Sequence, residues 1–341
     1  MAMIRAGHPG HGPRIPAAAT PRRRPDSIRR TSTVDIAGGR ELTGPLVLRG
    51  RGRDLVTDPT GAGLELARAA VEVEIDRAGR PAVARVTADP PLPGAEALVG
   101  AGVPGGFRRA VAAALPAETS SLGHLLLDDV PGAVIISGYA WAVEPGENGP
   151  HPGGMAQADI CSGWRSDGTM MISMRTEGGL PPMAGPVAPD LADPDDPAAW
   201  HELAPLAVHG VRRRRRLDLT AHDGLLDVDA MFRDTYVDSD GDETVVHEYG
   251  LTAGIDAATF TVVTVAAQPR VLPWVECPLA GASADRLVGT DVRAVRGLVG
   301  GAFRGISTCT HLNDLLRSLG DVEALAAALG KNVGAVRPVS L

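Results

Sequence analysis

Leu226-Asp227-Val228-Asp229-Ala230-Met231-Phe232-Arg233 is the stretch that decides the fold. Leu226, Val228, Ala230 and Phe232 alternate with Asp227, Asp229, Met231 and Arg233. A period of two marks a strand with one buried face. The run VRRRRRLDLT before it reads as a partner strand, and Asp223-Gly224 supplies the turn between them. Residues 245–255 and 260–267 give two further strands. Then the period changes. Leu312, Leu315, Leu316 and Leu319 fall on one face of a helix. Ser307, Thr308 and Thr310 are cap candidates at its start, and Gly320 is a stop signal. Strands followed by helices imply an α+β domain with an antiparallel sheet.

The same order recurs upstream. Leu98-Val99-Gly100 precedes His124-Leu125, much as Leu287-Val288-Gly289 precedes His311-Leu312. VEVEID ending at Asp76 resembles LTAGID ending at Asp256, and an arginine run opens each copy, at Arg29 and at Arg212. The reading is α+β, two diverged copies of an antiparallel sheet followed by helices. Its parts are a disordered basic tail (1–27), a degenerate first repeat (28–143), an insert rich in Gly, Pro and Met (144–205) and a second repeat (206–341) with the candidate site. In the insert, GTMMISMR reads as one strand and ADPDDPAAW as loop.

Composition bounds the rest. Hydrophobic residues make up 44% of the 341 residues and aromatics only 3%, so the core is aliphatic. A net charge of −8 argues against a nucleic-acid partner. No apolar run reaches the roughly 18 residues a membrane span needs. Three scattered cysteines do not make a disulfide scaffold and point to a reducing cytoplasm.

Asymmetry between the copies locates the chemistry. All three cysteines lie outside the first copy. Aligning on Asp76 and Asp256 sets Ala67 opposite His247, and aligning on the histidines sets Leu122 opposite Cys309. His247 lies on a strand, Cys277 at a strand end, and Cys309 and His311 at a helix start, where the dipole favours a thiolate. Thiolate and imidazole together suit zinc, ahead of an iron–sulfur cluster. His247, Cys277, Cys309 and His311 are therefore the expected metal ligands of a protein acting on a small molecule. Two alternatives stand beside this. One is a metal-free enzyme with Cys309 as nucleophile and His311 or His247 as base. The other is a non-catalytic binding or assembly module.

The pattern R-x-x-P-W-x-x-C-P from Arg270 to Pro278, followed by Leu287-Val288-Gly289 and Cys309-Thr310-His311-Leu312, resembles a bacterial family of domains of unknown function. Asp223-Gly224-Leu225 and His247 fit its pattern, as does the Asp-Ile-Cys-Ser-Gly-Trp segment around Cys161, whereas Thr308 stands where the family has glycine. The resemblance implies the domain and carries no activity. A more distant resemblance is to iron–sulfur scaffold proteins of the NifU/IscU type. By order alone it would give His247, Cys277 and Cys309 the ligand places, the histidine favouring zinc.

Two signals read as structural. Arg212 to Arg216 suggest a solvated strand edge. Asp238-Ser239-Asp240-Gly241-Asp242-Glu243 lacks the final glutamate of a calcium loop and reads as a hairpin turn.

Overall fold

A computed structural model of the chain describes residues 10–37, 44–103, 105–139, 157–176 and 185–334. The first four strands are β1 (Ser27–Ala37), β2 (Leu46–Thr57), β3 (Gly63–Asp76) and β4 (Ala82–Asp89). The second four are β5 (Val211–His222), β6 (Leu225–Val237), β7 (Glu243–Asp256) and β8 (Val262–Val271). They form one antiparallel sheet in the order β4-β3-β2-β1-β5-β6-β7-β8. The expected two sheets are thus two halves of one. The hairpin turns fall as read: Asp223 and Gly224, both at positive φ, join β5 to β6, and residues 238–242 join β6 to β7.

Helices follow each set of strands. The first half adds α1 (Phe107–Ala114), α2 (Leu122–Asp128) and α3 (Val130–Ser137). The segment between the halves holds α4 (Thr169–Thr176). The second half adds a 3-10 stretch at Cys277–Leu287, then α5 (Val292–Ala302), α6 (Thr310–Arg317) and α7 (Val322–Gly334). No helix among the described residues is long and apolar enough to cross a membrane.

The halves meet at the β1–β5 pair, and the register there is symmetric about Ser32 opposite Arg215. Arg29 faces Asp218 and Asp35 faces Arg212. Both pairs are ion pairs, with Nε to Oδ1 at 2.6 Å in each. On the helix side Arg30 grips Asp54 of β2, and Arg213 grips Asp234 of β6, each through Nε and Nη2. The cores exchange residues in the same reciprocal way. Ile28, Val56 and Leu66 pack into the second-half core, and Val211, Tyr236 and Val246 into the first-half core.

The arginine run is therefore the opposite of a solvated edge. Arg212 through Arg216 are all buried, at 0 to 7% exposure. Alternation on β5 sends Arg213 and Arg215 towards the helices and Arg212, Arg214 and Arg216 to the other face. Asp129, at the start of α3, and Asp314, in α6, receive the helix-side pair. On the other face, backbone carbonyls do much of the work. Arg29 donates to Pro21 O and Ala199 O, Arg212 to Ala204 O, Arg53 to Ala198 O, and Arg233 to Ala17 O and Pro189 O. Segments without periodicity are held by these bonds, because a buried guanidinium needs acceptors on every edge.

This corrects the expected tail over residues 10–26, while residues 1–9 lie outside the described residues. From Gly10 to Asp26 the chain lies along the sheet: Ile15 N donates to Arg270 O, Ala17 N to Glu248, and Thr20 Oγ1 to Leu191 O. The Met-rich stretch expected as a strand is the helix α4. Glu276 accepts from Thr169 N at 2.8 Å, a carboxylate at a helix N-terminus, and Met170 and Met171 are buried.

Two outcomes follow from the buried charges. Arg213→Met should destabilise the protein by about 3–5 kcal/mol in denaturant unfolding, because it strands buried carboxylates. The same change at the half-exposed Arg85 should cost less than about 1 kcal/mol. The second outcome concerns acid. Burial alone would raise the Asp128 carboxyl, but Arg108 and Arg317 outweigh it and hold it below the usual range. A depressed carboxyl stabilises fully above its unfolded pKa of about 3.9, and this is lost as pH falls through the folded value. Unfolding at stepped pH should show a shallower loss below about pH 5 for Asp128→Asn than for the parent.

Candidate metal centre

Asp234 on β6 and His247 on β7 are direct register partners. Beside them the register shifts: Thr235 pairs with Val245, so Val246 is the extra residue of a β-bulge. The bulge lets Val246 pack into the first-half core while His247 meets the helices. His311 comes from the first turn of α6, and its ring stacks on His247 at 3.8 Å between centroids and 19° between planes. His247 Nδ1 lies 3.6 Å from Asp234 Oδ2. Among the described residues, Asp234, His247 and His311 are the three-residue set whose ligand atoms all lie within 4.8 Å of one another.

Electrostatics prepare these groups differently. Burial by itself would raise the Asp234 carboxyl, but Arg213 and the neighbouring His247 hold it well below the usual range. Its oxygens accept from Arg213 at 2.8 and 3.0 Å, and Arg213 Nη1 also reaches Asp314 Oδ2 at 2.7 Å. Helix α3 crosses this clamp at Gly132, where a Cβ would collide with Arg213 Nη1 and Asp314 Oδ2. Burial first, then the neighbouring His247 ring, push His311 far below its ordinary value, so its imidazole is neutral. His247 Nδ1 and His311 Nε2 are both buried without a hydrogen-bond partner. His247 Nδ1 has only its 3.6 Å approach to Asp234, so two imidazoles beside an ionised carboxylate form a donor set of the kind that takes a transition-metal ion.

The four expected ligands do not make one set. His247 and His311 join Asp234. Cys277 and Cys309 turn instead into the apolar core of the second half. The link is Cys309 Sγ, 3.9 Å from His311 Nδ1. Cys309 N-caps α6 without a side-chain bond, and the expected Ser and Thr caps do not serve it. The anticipated thiolate is also corrected. Burial pushes the Cys309 thiol up to about 12 and the Cys277 thiol well above its ordinary value. Desolvation outweighs the helix dipole because the sulfur has no water to ionise into.

The first half shows what the site replaces. Ala67 pairs with Asp54 beside the matching bulge, as His247 pairs with Asp234. His124 is buried there with no second imidazole opposite it, and burial lowers its pKa. The residue missed from sequence was Asp234. Its signal was present: Arg53-Asp54 and Arg233-Asp234 recur at the spacing that relates Asp76 to Asp256.

A domain of unknown function is what the geometry sits in. Residues 211–325, from β5 into α7, match the family model described as protein of unknown function (DUF2889). That segment contains Asp234, His247, Cys277, Cys309 and His311. No curated protein and no solved structure matches the chain, so the scaffold resemblance gains no support.

Alkylation tests the corrected view of the thiols. At neutral pH the folded protein should leave Cys161, Cys277 and Cys309 unlabelled for as long as it stays folded, with full labelling in denaturant. Rapid modification of Cys309 in the native state, mapped by peptide mass, would restore it as a nucleophile.

Proposed function

We propose that the second half of the chain is a metal-binding domain whose ion, zinc, is held by Asp234, His247 and His311. One observation carries this: His311 Nε2 is buried without a hydrogen-bond partner, and its ligand atom lies within 4.8 Å of those of His247 and of Asp234, a carboxylate kept ionised by Arg213. A carboxylate has about four lone-pair sites, so the Arg213 clamp leaves Asp234 capacity for an ion. His311 Nδ1, directed at Cys309, gives the ligand ring an outer partner that orients it. Two imidazoles and a carboxylate are donor types that suit an ion of the zinc class, with one coordination position left over.

The position of the site favours holding an ion over turning over a substrate. Two clefts of about 350 and 380 Å³ among the described residues lie on the opposite face of the sheet, lined by Arg216, Asp229, Glu248 and Thr252 among others. A small-molecule substrate therefore draws no support from the place of the ligands.

The test is elemental analysis with thermal unfolding of protein purified without added metal. Wild-type protein should hold about one equivalent of zinc, and zinc at a hundred times its Kd should stabilise it by about 2.7 kcal/mol relative to chelator. His247→Ala and Asp234→Asn should lose both the ion and the shift. A wild-type melting curve indifferent to zinc and to chelator sinks the reading.

A further inference from the structure

We propose that the cleft of about 350 Å³ on the sheet face opposite the metal centre binds a small organic acid, whose carboxylate is held by Arg270 and Gln268. The observation is a contrast between the halves at matched register, with Asp76 equivalent to Asp256. In the first half Arg49 pairs with Glu72, and Glu72 with Thr87 of β4. One row along, Arg51 pairs with Ala70, and Ala70 with Asp89. The matching rows of the second half are Asp229, Thr252, Ala266 and then Met231, Gly250, Gln268. Every position but the last carries a smaller side chain in the second half. The first half closes this surface with ion pairs, Glu72 meeting Arg49 at 3.0 Å and Arg85 at 2.5 Å. In the second half all the residues of both rows line the cleft.

The polar groups of the cleft converge on one place. A Cβ built on Gly250 would lie 3.5 Å from Gln268 Oε1 and 3.8 Å from Arg270 Nε, so both side chains fold over the same glycine. The carboxylates nearby are already answered: Glu248 meets Arg233 at 2.5 Å, and Asp229 meets Arg216 at 2.6 Å. Arg270 meets no carboxylate among the described residues. Rotation of the Gln268 amide brings its N–H groups to the point its oxygen now faces. A guanidinium and an amide donor above a backbone without a Cβ make a seat for a planar carboxylate, which takes two parallel N–H bonds from arginine.

The rest of the cleft sets the size and character of the acid. Its wall is fixed where Trp200 Nε1 donates to Thr20 Oγ1 and Thr20 Oγ1 donates to Leu191 O, each at 2.7 Å. Ala17 N, held by Glu248 at 2.6 Å, anchors the arm beside it. Leu191 and Met231 pack together with Trp200 and give the cleft an apolar side. The volume is at the small end for ligand pockets, so the acid is a compact one with an apolar body. The cleft shares no residue with the Asp234, His247 and His311 set.

The experiment titrates the full chain with hexanoate and benzoate in a calorimeter, with hexanol and inorganic phosphate as controls. Both acids should bind saturably and raise the melting temperature, and neither control should. Arg270→Gln should weaken the acids by at least about tenfold, the loss expected of a charge-assisted pair. Thr252→Glu, which restores the larger group of the first half, should weaken them as much by filling the cleft. Thr252 is exposed and Arg270 half-buried, so circular dichroism should show both variants folded. Titrations in zinc and in chelator should agree, which keeps this result separate from the metal reading. Failure of both acids to bind wild-type protein, equal binding of hexanol or phosphate, or unchanged affinity in folded Arg270→Gln or Thr252→Glu overturns the proposal.

Discussion

The pairing of β1 with β5 places arginines at the centre of an eight-stranded sheet, where water cannot reach them. Arg29, Arg30, Arg212, Arg213, Arg214, Arg215 and Arg216 are all buried along this seam. A buried charge without a partner costs several kcal/mol, so the seam stands only if carboxylates or carbonyls meet it on both faces. Asp129, Asp234, Asp314 and Asp321 do this on the helix side. The N-terminal arm and residues 185–205 do it on the other. Packing of α3, α6, the arm and the insert is thus one problem with one solution, and Gly132 is the small residue that lets α3 come close enough.

The candidate centre grows from the same seam. Asp234 answers Arg213 with both oxygens and stays ionised for that reason. It has a counterpart in Asp54, which answers Arg30, and the carboxylate alone does not make a site. What the second half adds is His247 at the bulge and His311 above it, where the first half has Ala67 and a solitary His124. An ion pair common to both halves gains a stacked pair of imidazoles in one of them, where His247 stands in place of Ala67. The arginine that stabilises the sheet also settles the charge of Asp234.

Sequence periodicity was a good guide wherever one face of an element is apolar. The β6 alternation, the Asp223-Gly224 turn and the leucine spacing of α6 each appear where they were expected. Charge patterning misled for a definite reason. Five arginines in a row look solvated on an isolated strand, and only the antiparallel partner strand with its covering carbonyls makes them interior. The arm before Ser27 and the insert carry no period because they are held through backbone carbonyls, which every residue possesses. The neighbour of His247 and His311 was not legible, since Asp234 is brought to them by strand register, and the thiolate expected at Cys309 was misread because burial withdraws the sulfur from water.

Local order, turns, the α+β class and the imbalance between the halves were all written in residue spacing, because burial of one face imposes a period on the chain. Fusion of the two halves into one sheet, the burial of the arginines, and the separation of His247 and His311 from Cys277 and Cys309 were decided by the tertiary structure. Those outcomes depend on which strand lies beside β1 and on how far each sulfur and ring is withdrawn from water. Neither quantity has a signature within a window of residues.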